Sequence, residues 1–167
     1  MGDGNMGCRI KHIKKKLKEK AFPRGELKIV LIHKDTGEEI EKTYRNIVVN
    51  VGTELITKRL TGEGNDCEVT YGAVGTDDTA ATAADTALGA ELARKLLASR
   101  TYTATSAIFI LYMSTAEGNG ALKEFALYGD GASGTPDSGV LFNRALIDVA
   151  KSTDYSMTIQ VTITFTV

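Results

Sequence analysis

The 167-residue chain has no tryptophan, and aromatic residues make up only 7% of it. Its core must therefore be aliphatic, and its surface offers few aromatic anchors. That weakens any reading as a sugar-binding module, because sugar sites favour aromatic platforms. Cysteine occurs twice. Cys8 and Cys67 match no zinc spacing and make no disulfide framework, so a reducing compartment is expected. No apolar run reaches the roughly 18 residues of a membrane-spanning helix. The N-terminus lacks the apolar stretch of a signal peptide. Met6 stands where a myristoylation signal needs Ser or Thr.

Net charge is also small, at −1, but it is unevenly distributed. Residues 1–24 hold eight basic residues and two acids, a net of +6, so the remaining 143 residues carry −7. The basic residues are Arg9, Lys11, Lys14, Lys15, Lys16, Lys18, Lys20 and Arg24. A basic arm on an acidic body is a recurring form of interaction tail. Docking onto another protein is the favoured role for these eight residues. Aromatic interleaving in the arm is limited to Phe22, which disfavours a stacking type of nucleic-acid binding. Within the arm, Ile10, Ile13 and Leu17 fall on one face of a helix over residues 9–20. So few aliphatics cannot hold a helix alone in water, so it needs a docking surface.

Threonine and alanine are abundant, and there are 17 glycines. This composition favours strands joined by tight turns. Residues 26–49 read as a β-hairpin, with strands Leu27–His33 and Glu38–Val49 around the turn Asp35-Thr36-Gly37. Asn50 is placed to cap a helix over 51–61, with Leu55, Ile56 and Leu60 as its buried face and Gly62 as its left-handed stop. Strands are expected at 68–74, at 100–113 as one long strand or a bent pair, at 122–128 and at 140–149. The apolar run 107–113 reads as a strand covered on both faces. The final strand alternates strictly from Ser156 to Val167, with a threonine-rich polar face. It lacks the Lys or Pro that protects an edge, so pairing on both sides is expected. The fold class expected is all-β. It is a single β-sandwich of about six to eight mostly antiparallel strands over residues 25–167, with one or two short helices and the arm at 1–24.

Residues 75–87 are small, so they bury little and cannot form a core of their own. They must lie against an already folded surface or against another chain. Gly75, Thr76, Thr79, Thr82, Asp85 and Leu88 are the candidate subunit contacts.

No catalytic constellation emerges. Gly129-Asp-Gly131-Ala-Ser-Gly134 has the spacing G-x-G-x-x-G, but a strand rather than a helix follows, so it reads as a surface loop. Asp77, Asp78 and Asp85 have no calcium-loop spacing and read as loop acids or caps; Asp130 and Asp137 are weaker still. His12 and His33 have no nucleophile or metal partner nearby in sequence, and neither cysteine has an identifiable base. No cofactor or metal site is expected.

Five segments together resemble a family of small structural proteins of tailed bacteriophages and prophages, the tail-fibre and virion structural proteins. They are Asn46-Ile-Val-Val-Asn-Val-Gly52, Tyr71-Gly-Ala-Val-Gly-Thr76, Asp85-Thr-Ala-Leu88 with Glu91 and Arg94, Glu117–Leu127, and the closing threonine-alternating strand. The family pattern has Gly-Thr-Gly where this chain has Gly75-Thr76-Asp77, and the arm has no counterpart. The resemblance implies a non-enzymatic virion protein, assembled in the host cytoplasm with copies of itself and other virion proteins. A tail, fibre or baseplate component is expected. A capsid decoration or neck protein docking through the arm, and a receptor- or carbohydrate-binding module, are the alternatives.

Overall fold

The computed structural model describes residues 23–63 and 67–165. The expected helix at 9–20 and seven of the eight basic arm residues lie outside them. Arg24 is described, and it is not arm: it opens the first strand, opposite Thr164.

The described residues form nine strands and one helix: β1 (Arg24–His33), β2 (Glu39–Val48), α1 (Asn50–Thr61), β3 (Val69–Gly75), β4 (Glu91–Leu96), β5 (Ser99–Tyr102), β6 (Ser106–Met113), β7 (Gly120–Gly129), β8 (Val140–Lys151) and β9 (Tyr155–Thr164). All strand pairs are antiparallel, and they form one curled sheet in the order β4-β3-β7-β8-β2-β1-β9-β6-β5. The two strands at its ends, β4 and β5, are consecutive in sequence. Leu97 N–H still bonds Thr70 at one edge, and Ala98 N–H already bonds Ile110 at the other. The chain thus turns a corner from one end of the sheet to the other within two residues.

The curl has a weak seam. β2 and β8 pair only at Ile47–Arg144 and Val48–Asn143. Beyond that the strands part, and side chains bridge them. Tyr44 OH donates to the Asp148 carbonyl at 2.9 Å, and Lys42 Nζ donates to the same oxygen at 2.6 Å.

Two apolar clusters result. The larger lies inside the curl and takes residues from both halves, including Leu27, Ile29, Leu111, Phe125, Phe142, Ile159 and Val161. Packing is close: a Cβ on Gly72 would lie 2.9 Å from Leu111 Cδ2, so Leu111 would have to shift to admit one. The smaller cluster, Val49, Ala73, Leu88, Ala126, Tyr128 and Leu141, lies on the outer face of the β3-β7-β8 half.

The N-terminal hairpin forms as expected, with Leu27 against Tyr44 and Leu31 against Ile40. β9 is paired on both sides, with β1 and β6, and its Met157, Ile159, Val161 and Ile163 are fully buried. Gly62 takes φ 74° and ends α1, with Lys58 and Arg59 in the last turn.

Other expectations need correction. The strands number nine because 91–96 is a strand and 99–113 is a hairpin of two. β6 is not covered on both faces, since Tyr112 is 44% exposed beside buried Leu111 and Met113. Val49, not Asn50, is the helix N-cap, and no side chain caps it. Asn50 instead donates its N–H to the Ala83 carbonyl at 2.8 Å. Leu55 is buried as expected, but Leu60 is 82% exposed.

Candidate assembly surfaces

Residues 76–90 form a strap across the outer face of β3, β7 and β8. They have no regular structure, and their backbone polar groups still need partners. The end of the strap, Leu88–Ala90, is held through its N–H groups by two buried side chains of β7, and a buried arginine of β8 holds the strap's acids. Glu124 on β7 accepts the N–H groups of Gly89 (2.9 Å) and Ala90 (2.7 Å). Tyr128 OH, also on β7, accepts Leu88 N–H at 3.1 Å. Arg144 on β8 donates to Glu124 (2.8 Å), Asp85 (2.9 Å) and Asp77 (3.3 Å). Thr82 and Thr79 close the strap locally by donating to Asp85 and Asp77.

Glu124 is fully buried and Arg144 is 3% exposed. Burial opposes the charge on Arg144, yet Asp85 and Glu124 outweigh it and hold its pKa above the ordinary value. Burial likewise opposes ionisation of Asp85, but the hydrogen bonds from Thr82 and Arg144 prevail and lower its pKa. A second buried pair sits beside this one. Arg94 binds Glu91 through two bonds of 2.8 and 2.6 Å, gives a third to the Ser138 carbonyl, and lies 3.9 Å over the Tyr128 ring. Burial pushes the Tyr128 hydroxyl up to about 12. Both Glu124 oxygens and all three Arg144 nitrogens are engaged, so the cluster can clamp the strap but presents no vacant acid or base.

The six candidate contacts separate into two groups. Gly75 and Leu88 are buried in the chain's own interior, and Asp85 is tied to Arg144. Thr76, Thr79 and Thr82 are exposed on the strap's outer side. Asp77, where the resembled family has glycine, is one of the clamp's acids. Asp78 is exposed. Sequence reasoning missed Glu124 and Arg144. One signal was available: Arg144 interrupts the apolar run Val140–Val149, and acids lie in the only long small-residue segment.

The other predicted positions resolve simply. The 130–139 loop has Asp130 and Asp137 at positive φ and leads into β8, not a helix. His33 Nδ1 accepts the N–H groups of Asp35 and Thr36, and its ring stands edge-on to Tyr155. Cys67 is a buried free thiol.

Two surfaces are left uncovered by the other described residues. The first is the outer face of β9, β6 and β5. Register places Thr158, Gln160, Thr162 and Thr164 beside Tyr112, Ile110, Ile108 and Ser106, with Ser99 and Thr101 beyond. None of these side chains is charged, and none of them belongs to either apolar cluster. The second is an apolar groove of about 340 Å³ at one end of the curl, where α1 meets Phe109, Phe142 and Phe165. Arg59 and Arg100 stand at its rim, both paired with Glu68.

No protein-family model, curated protein or solved structure matches the chain.

Proposed function

We propose that this protein is a non-enzymatic structural component of a tailed-phage virion. It works in the tail, fibre or baseplate as a homo-oligomer, with its two sheet halves acting as a β-sandwich. The observation that carries this reading is the uncharged outer face of β9, β6 and β5. A free surface normally carries charge. Three adjacent strands with none, and with Ile108, Ile110 and Tyr112 among the threonines, suit burial against another copy of the same chain. The exposed outer side of the strap extends the contact with Thr76, Thr79 and Thr82.

The resemblance supports the same reading. Four of its five segments converge on the strap and its ties. Asn50 and Asp85 hold it, Gly75 begins it, Glu124 clamps it, and Glu91 and Arg94 pack beside it. Gly52 lets α1 approach the Phe142 carbonyl beneath.

The test is light scattering of the purified chain, alone and with particles. An oligomer, or binding to a virion partner, is expected. Ile110→Glu with Thr162→Lys should dissociate it while leaving the circular dichroism unchanged. A monomer that joins no virion protein refutes the proposal.

A further inference from the structure

We propose that the apolar groove at the end of the curl is the seat of the chain's own segment before β1, with Phe22 as the side chain that fills it. Three observations point to that occupant. First, the groove is apolar and open: Leu55, Ile56, Cys67, Phe109, Phe142 and Phe165 line it. Second, its rim carries an apolar residue with no cover. The helical periodicity of 51–61 places Leu60 on the same face as Ile56, one turn before it, yet Leu60 is 82% exposed at the groove's edge. A face that the sequence marks as apolar and the described residues leave bare calls for a cover.

Third, the chain before β1 departs from this spot. Arg24 pairs with Thr164, so continuing the register by one residue sets Pro23 beside Phe165, which lines the groove. Phe22 is one peptide further, a Cα step of about 3.8 Å. It is the only aromatic residue in positions 1–22. Charge favours the same portion of the segment. Arg59 and Arg100 share the single acid Glu68, which leaves the rim net positive and disfavours the lysines at 14–20, whereas Ala21 and Phe22 are neutral.

Cys67 is a built-in reporter, because it lines the groove. The experiment uses the full chain in a Cys8→Ser background and follows labelling of Cys67 by a thiol reagent. Phe22→Ala should speed labelling roughly tenfold, the change that withdrawing ~1.4 kcal/mol of cover produces. Phe22→Leu should fall between, and the rates should not depend on protein concentration. The chain has no tryptophan, so Phe22→Trp gives a clean second readout, with blue-shifted emission expected. Equal labelling rates for the three chains, or the emission of a water-exposed indole, overturn the proposal. So does protection that grows with protein concentration, which would make a second copy the donor.

Discussion

On the outer side of β3, β7 and β8, charged side chains are buried under a strap of the chain's own residues. On the outer side of β9, β6 and β5 the facing side chains carry no charge, Lys95 reaches over the Tyr112 ring from β4, and no strap of the described residues crosses them. The first face is completed within the chain. Arg144, Glu124, Asp85 and Asp77 satisfy one another and the strap's amides, and in doing so fix a segment that buries almost nothing by itself. The second face has lost its charges without gaining a cover. Charge here serves to hold the chain to itself, and the face we propose for contact with another copy is plain.

The comparison breaks most easily at Arg144. Arg144→Leu leaves Glu124 and Asp85 buried without their partner, a change that costs about 3–5 kcal/mol. Urea unfolding should show it, and a loss below about 1 kcal/mol would erase the distinction between the two faces. Next is Gly75→Ala. The added carbon would collide with the Glu124 carboxylate and the Ala90 carbonyl. Forcing it in should cost about 1–3 kcal/mol, read from the same unfolding curves, with faster proteolysis within 76–90.

Acid should act on the clamp and on the β6–β7 turn as well. Glu117 in the β6–β7 turn is lowered from 4.5 to about 2 by hydrogen bonds from Lys95 and the Ser114 N–H. Asp85 is lowered too. Both groups hold their protons less tightly in the folded chain. Their stabilisation is therefore present above the ordinary carboxylate range; that of Glu117 is lost as pH falls from about 4.5 to about 2, and that of Asp85 is lost as pH falls below its ordinary range. The melting temperature should fall over that window, and Glu117→Gln should flatten the fall. The smallest effect belongs to the bare face. Thr162→Lys should change stability by no more than about 0.5 kcal/mol while weakening self-association. A large loss of stability there would mean that the face is packed within the chain after all.

Much of this architecture was legible in the sequence. The hairpin at 26–49 declared itself through alternation and Asp-Thr-Gly, and β9 through its strict period of two. Gly62 read correctly as a helix stop. β4 was not legible, because Glu-Leu-Ala-Arg-Lys-Leu has helix-forming residues and no alternation; only pairing to β3 makes it a strand. Asn50 misread as a cap because its N–H is taken by a residue far along the chain, Ala83. Glu124 and Arg144 look like ordinary solvent-facing residues of their strands. They become buried only when a distant segment folds back over them, which local patterning does not encode. The plain face was visible as the threonine side of β9, but its extent was not. It required the register that sets Ile108 and Ile110 beside those threonines.

The pairing of β1 with β9 bears on how the chain is made. Arg24 meets Thr164, so nearly the whole described sequence separates these neighbours. During N- to C-terminal synthesis the β1–β2 hairpin can close by itself on a scale of roughly microseconds. Its other edge stays open until β9 has left the ribosome. Contacts this distant in sequence place the protein among slow folders, roughly milliseconds to seconds. The same central strand that holds β1 and β6 together is thus a late arrival, and a chain cut short before it would display two unpaired edges at once.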